Sequence, residues 1–202
     1  MKCLTLSIAA TALALGFSSP AAQAADYVID TKGAHASIQF RVQHLGYSWL
    51  YGRFNTFAGG FSYDDANPGA SKVNVTIDTA SVDSNHAERD KHLRGADFFD
   101  VDQFPKAKFA STGVDVNADG SAKISGEFTF HGVTKAITLD VKKMGEGQDP
   151  WGGYRAGFEG STTITMADYG LTYNLGPAST EAEIILTFEG VQIGRASCRE
   201  RV

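Results

Sequence analysis

The sequence predicts an all-β fold of roughly seven or eight antiparallel strands, closed as a barrel or stacked as a sandwich. Two observations carry this. Apolar and polar residues alternate through most of the chain, and short turn signals separate the alternating runs. Internal repeats and low-complexity linkers are missing, so the chain reads as one domain.

The runs follow in order. "HASIQFRVQHL" puts Ala36, Ile38, Phe40, Val42 and His44 on one face and Ser37, Gln39, Arg41 and Gln43 on the other. "SKVNVTIDTA" alternates Val73, Val75 and Ile77. "SAKISGEFTF" alternates Ile124, Gly126, Phe128 and Phe130; "KAITLDVKKM" alternates Ile137, Leu139 and Val141; "AEIILTFEG" alternates Ile184, Leu186 and Phe188. Asp119-Gly120 marks a tight hairpin, and His131-Gly132 marks another reversal. Phenylalanine dominates the inward stripe: Phe40, Phe54, Phe57, Phe61, Phe109, Phe128, Phe130, Phe158 and Phe188. A small barrel either fills its interior with such side chains or holds one ligand. Periodicity alone does not separate these alternatives.

One segment departs from the β pattern. "NHAERDKHLRGADFFD" sets His86, Glu88, Asp90 and His92 at alternate positions, which on a strand would gather four metal ligands on one face. Its punctuation is helical instead. Asn85 and Glu88 have the form of a capping box, Lys91 and Arg94 suit a last turn, and Gly95 suits a C-cap. On a helix, His86 neighbours Asp90 and Glu88 neighbours His92, and the two pairs point about 160° apart. They cannot share one ion. The expectation is a short, mostly exposed helix across one end of the β structure, followed by Phe98 and Phe99 as an apolar plug.

The ends suggest export. Residues 1–24 read as a cleaved secretory signal peptide: Lys2, an apolar run from Leu4 to Phe17, and Ala22-Gln23-Ala24 as cleavage site. An uncleaved anchor is the alternative; with the peptide cleaved, no stable membrane insertion is expected. Cys3 would leave with the peptide. Cys198 would then be the one remaining cysteine, so no internal disulfide is expected. The formal charge of −5 becomes −6 without Lys2, which argues against nucleic acid or an anionic membrane surface as the main partner. Residues 193–202 match nothing else in composition. They read as a disordered or artefactual extension, with a basic tail for an acidic partner as the alternative.

Motifs for hydrolytic, phosphate-binding and metalloprotease chemistry are missing, as is a haem-attachment motif. His35, His44 and His131 are separated across strands and turns. His44 shares its face with Phe40 and Val42. It precedes "LGYSWLYGRF", where Tyr47, Trp49, Tyr51 and Arg53 make an aromatic turn of the kind found at a cavity mouth.

"DYVIDTKGAHASIQFRVQHLGYSWLYGRF", "VDSNHAERDKHLRGADFFDV", "GEFTFHGVTKAITLDV" and "DPWGGYRAGFEG" resemble the YceI family of periplasmic proteins over essentially 25–192. The resemblance implies an eight-stranded antiparallel lipocalin-like barrel with one or more short helices near one end. It implies a periplasmic, non-enzymatic binding protein, often dimeric, with no covalent cofactor. The ligand would be a long amphiphile such as an isoprenoid lipid or isoprenoid quinone, held as carrier, store or sensor. An enzyme or electron-transfer partner acting on such a molecule is the competing reading. On this basis the lumen wall is expected to include Ile38, Phe40, Val42, His44, Phe54, Phe57, Phe61, Val75, Ile77, Leu93, Phe98, Phe99, Phe109, Phe128, Phe130 and Phe158. His44, Tyr47 and Arg53 are the head-group candidates, and no catalytic or metal residue is assigned.

Overall fold

The computed structural model describes residues 24–194. The expected signal peptide lies outside the described residues apart from Ala24, as does the expected tail beyond Gly194. The strands are β1 (Ala25–Ile29), β2 (Ala36–His44), β3 (Ser48–Phe54), β4 (Phe57–Tyr63), β5 (Lys72–Asp78) and β6 (Val82–Asp83). After the helix α1 (Ala87–Arg94) come β7 (Lys106–Val116), β8 (Ser121–Phe130), β9 (Val133–Gln148), β10 (Tyr154–Thr165) and β11 (Glu181–Gln192). Among the described residues no helix is long and apolar enough to cross a membrane.

All pairings are antiparallel, and β1 meets β11 to close the sheet. Three staves are interrupted. Both β1 and β2 run along one edge of β11, at 190–192 and 182–188. In turn β4 pairs with β1 and β3 with β2, while β5 follows β4 and β6 follows β3. So β1–β2, β3–β4 and β5–β6 are three broken staves. With β7 to β11 they make an eight-stranded, up-and-down closed barrel. Closure leaves few free edges, which is how an all-β chain satisfies its backbone groups.

Local chemistry explains the breaks and turns. Between β5 and β6 the Asp78 carboxylate accepts from Ala80 N–H (3.1 Å), and Ser81 Oγ donates to Asp78 O (2.6 Å). These bonds turn the chain through one 3-10 turn at Thr79–Ser81. His131 and Gly132 both have positive φ (48° and 75°), the two-residue hairpin turn that matches strand twist. The Asp119-Gly120 reversal is a four-residue loop, 117–120, with Gly120 at φ 82°. At the C-terminal end Ile193 N–H still donates to Asp26 O at 2.7 Å, one residue past the expected barrel boundary.

Inward parity holds along the staves. Ile38, Phe40, Val73, Ile77, Phe109, Phe128, Phe130, Leu139 and Val141 are all buried. Rings need floor space, and inward glycines provide it. A Cβ on Gly126 would lie 2.4 Å from the Phe109 ring, and one on Gly190 would lie 2.4 Å from the Phe61 ring.

α1 differs from its expected cap. His86, not Asn85, is the N-cap: its Nδ1 accepts from Arg89 N–H at 3.2 Å. Asp83 Oδ1 takes the Asn85 N–H at 2.9 Å, which turns Asn85 into the left-handed region (φ 61°) one residue early. Gly95 is the C-cap but stays extended (φ −76°). Nor are the helix charges simply solvated. Asp90 is buried and accepts from Ser84 N–H (2.7 Å) and Ser84 Oγ (2.5 Å). Arg89 donates to Ser84 Oγ and O (2.7 and 2.6 Å), and Arg94 to Ala80 O and Val82 O (2.7 and 2.8 Å). Three charges therefore pin α1 to the 80–84 segment.

Candidate functional site

The barrel encloses a cavity of about 800 Å³, within the usual range for ligand sites. Every stave contributes wall. From β2 come Ile38, Phe40 and Val42; from β3 and β4, Leu50, Phe54 and Phe57; from β5, Val73, Val75 and Ile77. β7 and β8 add Phe109, Ile124, Phe128 and Phe130; β9 adds Ile137, Leu139 and Val141; β10 and β11 add Ile164, Ile184, Leu186 and Phe188. Strand parity is the cause, because most inward positions of the staves carry apolar side chains.

One end is covered by α1, by the segment 95–105 and by the long connection 166–180. Leu93, Phe98 and Phe99 reach the cavity from the first two, and Leu171, Tyr173, Leu175 and Ser179 from the third. Phe99 packs on Phe54 (5.8 Å), Phe130 (5.3 Å) and Phe40 (6.5 Å), joining the cover to three staves. Phe98, His92 and Tyr173 form a ring cluster across the opening, with centroids 4.9, 5.0 and 5.4 Å apart. Polar groups collect at this rim: His44, Arg89, His92, Tyr173 and Asn174.

The expected wall residues Ile38, Phe40, Val42, His44, Phe54, Phe57, Val75, Ile77, Leu93, Phe98, Phe99, Phe109, Phe128 and Phe130 all lie on this cavity. Phe61 and Phe158 do not. They line a second cavity of about 440 Å³ toward the other end, which shares Val73, Ile124, Val141 and Phe188 with the first. There Phe61 stacks on Tyr27 (4.8 Å), and Phe158 stacks on Phe188 (5.6 Å). Of the head-group candidates only His44 is on the wall. Tyr47 sits on the β2–β3 hairpin, turned to solvent. Arg53 has outward parity beside Phe54 and pairs with Asp83 at 3.4 Å. Neither is brought to the cavity.

Sequence reasoning missed Arg89, His92 and the whole 171–179 stretch. The signal was present: Leu171, Tyr173 and Leu175 alternate inside a segment punctuated by Gly170 and Gly176. The second cavity was also missed. At its rim Lys143 Nζ donates to Asp65 (2.6 Å) and lies 5.0 Å over the Tyr63 ring. Lys143 lowers the Asp65 pKa by that bond, and burial raises that of Tyr63.

A family model described as a YceI-like domain matches residues 27–191. The chain belongs to the YceI-like family. A UPF0312 protein of Pseudomonas paraeruginosa is 58% identical over 184 residues, 90% of this chain and 96% of that one. The structure of a Campylobacter jejuni YCEI protein aligns with a TM-score of 0.66 at 27% identity, over 74% of this chain and 89% of that one. A polyisoprenoid binding domain from Saccharophagus degradans shares the fold, with a TM-score of 0.60 at 18% identity over 84% and 99% of the two chains.

In this YceI-like barrel the four residues of the alternating pattern go separate ways, with Glu88 exposed on α1. His86 caps α1, Asp90 turns under Ser84, and His92 meets Asp97 at 3.0 Å. Among the described residues, the group close enough to surround an ion is Asp30, His35 and Glu189. A cation already serves them: Arg155 Nη1 lies 2.7 Å from Asp30 and 2.5 Å from Glu189. Its Nε lies 2.7 Å from Asp149. The cluster ties β10 and β11 to the loop between β1 and β2, where the barrel closes.

Proposed function

We propose that this chain holds a long isoprenoid-type lipid or isoprenoid quinone in the barrel lumen, tail inward and polar end at the rim of His44, Arg89 and His92. One observation carries the reading: a cavity of about 800 Å³ whose wall is overwhelmingly aliphatic and aromatic. Such a wall offers water few hydrogen-bond partners. An apolar chain gains about 25 cal/mol per Å² of surface taken from water there. A tail of several prenyl units thus binds with few polar contacts. The second cavity, sharing four wall residues with the first, gives a long tail room to extend. The polyisoprenoid binding domain from Saccharophagus degradans supports the same reading through its fold.

The working compartment in this reading is the periplasm, reached by the signal-peptide pattern of residues 1–24. There the protein serves as carrier, store or sensor rather than as an enzyme. The deciding experiment is mass spectrometry of an organic extract of protein purified without detergent. An isoprenoid alcohol, phosphate or quinone at near-stoichiometric yield is the expected result. Empty extracts, with failure to take up geranylgeraniol added afterwards, would end the proposal.

A further inference from the structure

Large apolar side chains are strongly exposed at several places, and single ones need no explanation. The group at the cavity rim is different because three of them fall within five residues of one hairpin. Leu45 is 53% exposed, Tyr47 87% and Trp49 43%, all on one hairpin, 45–49. Exposed Tyr173 lies on the neighbouring 166–180 connection. That connection and the hairpin touch. A Cβ on Gly176 would lie 3.3 Å from Leu45 Cδ2, and Ser179 Oγ donates to Gln43 O. Leu45 also lines the cavity, so the exposed patch runs directly into the mouth.

The backbone holds this apolar tip in place at a cost. Leu45 has φ 54°, in the left-handed region that a leucine rarely occupies. The arginine packed against the tip is already paired: Arg41 lies 4.3 Å over the Trp49 ring and pairs with Glu183 at 2.5 Å. Arg89, on the cavity wall, is turned to Ser84 Oγ and O. Tyrosine and tryptophan carry an apolar body with a polar edge, which suits the boundary between lipid headgroups and acyl chains.

We propose that the β2–β3 hairpin is a docking surface for the interface of a zwitterionic lipid membrane, with Leu45, Tyr47 and Trp49 as the inserting side chains. Docking there sets the mouth against the bilayer, so that a lipid enters or leaves the lumen without crossing water. The proposal rests on the lipid-holding reading for its purpose, while the contact itself is read from the surface. With Arg41 paired to Glu183, attachment depends on apolar insertion and little on salt.

The test uses vesicles of phosphatidylcholine and phosphatidylethanolamine. The chain has two tryptophans, so Trp151→Phe leaves Trp49 as the reporter. The expected result is flotation with the vesicles, a blue-shifted Trp49 emission and its quenching by brominated acyl chains, all retained at high salt. Tyr47→Ser, at a position off the cavity wall, should weaken vesicle binding by about tenfold from lost apolar area, with lumen lipid unchanged by extraction. Four results would overturn the proposal: no flotation; attachment only to anionic vesicles and lost in salt; a blue shift that follows protein concentration without vesicles, as a second copy would give; or a Tyr47→Ser variant that docks normally. Lumen content is scored separately, so an empty barrel that still docks counts against the lipid-holding reading alone.

Discussion

Arg155 Nη1 donates to Asp30 Oδ2 at 2.7 Å, linking residues 125 positions apart where the barrel closes. The same guanidinium reaches Asp149 and Glu189, so one side chain serves three carboxylates. Its side chain is 21% exposed, and those of Asp30 and Asp149 are 11% and 6% exposed. Removing the arginine strands carboxylates that are largely withdrawn from water. Arg155→Met is expected to cost about 2–4 kcal/mol, the range for breaking a buried ion pair after allowing for partial exposure. Urea denaturation should show a lower midpoint with an unchanged slope. A midpoint within error of the parent would mean that the cluster is incidental.

The same cluster sets an acid response. Arg155, Gly33 N–H and His35 hold the Asp30 carboxyl well below the usual carboxylate range. Arg155 also lowers Asp149. A carboxyl depressed in the folded state binds fewer protons than the unfolded chain does near pH 4, so stability falls as pH drops through and below about 3.9. The contribution is fully present above that pH. Arg155→Met should flatten this acid limb in thermal melts taken from about pH 5 down to pH 2. An equally steep limb in the variant would assign acid sensitivity to other carboxylates.

Much of the wall was legible because parity is local. Phe40 faces in because Gln39 and Arg41 face out, and no tertiary information is needed to see it. Phe54 and Phe57 show the limit. Three positions apart, they cannot share a face of one continuous strand, yet both line the cavity because Asn55 and Thr56 break the stave. That odd spacing was a visible sign of a break. Helix α1 was legible in type but not in cap, because the Asp83 carboxylate captures the Asn85 N–H before the helix begins. The 171–179 cover was illegible as cover: its alternation looks like a strand, and only the surrounding barrel decides that it has no sheet neighbour. Arg53 and Tyr47 misled through composition, since an aromatic turn with a cation suits a mouth whichever way its side chains point.

Gly190 tests the packing of rings against inward glycines. A Cβ there would lie 2.4 Å from the Phe61 ring and 2.9 Å from Tyr27 Cβ. Both rings are fixed in a stack, so neither yields easily. Gly190→Ala should destabilise by about 1–3 kcal/mol through overpacking. Gly145→Ala, where nothing lies within 4 Å of the added carbon, is the control and should be near neutral. Equal melting temperatures for the two variants would contradict the packing described.

Occupancy of the lumen is tested by filling it. Val75 is partly buried and lines the cavity midway along β5, opposite Phe109 in register. Val75→Trp adds a large ring where a lipid tail would lie. Geranylgeraniol binding, followed by isothermal titration, should weaken by at least about tenfold as apolar contact is lost. The far-UV circular dichroism should stay that of the parent. Unchanged affinity in a folded variant would place the ligand elsewhere.

The ring cluster over the opening is expected to govern exchange rather than capacity. Tyr173 touches His92 at 5.4 Å and Phe98 at 5.0 Å, and these contacts join α1 and its following segment to the 166–180 connection. Each aromatic pair is worth about 0.5–1.5 kcal/mol, so losing both lowers an opening barrier by about 1–3 kcal/mol. Tyr173→Ala should therefore release a bound fluorescent isoprenoid about tenfold faster in stopped-flow exchange, where 1.4 kcal/mol corresponds to about a factor of ten. Uptake should accelerate as well, because the same contacts must part for entry, and the equilibrium affinity should move much less than either rate. His92→Ala removes two of the three contacts and should also speed release, but with a loss of affinity besides, because His92 stands at the polar end of the proposed ligand. Weaker affinity carried by faster release alone, with uptake unchanged, would make Tyr173 only a wall contact and not part of a closure.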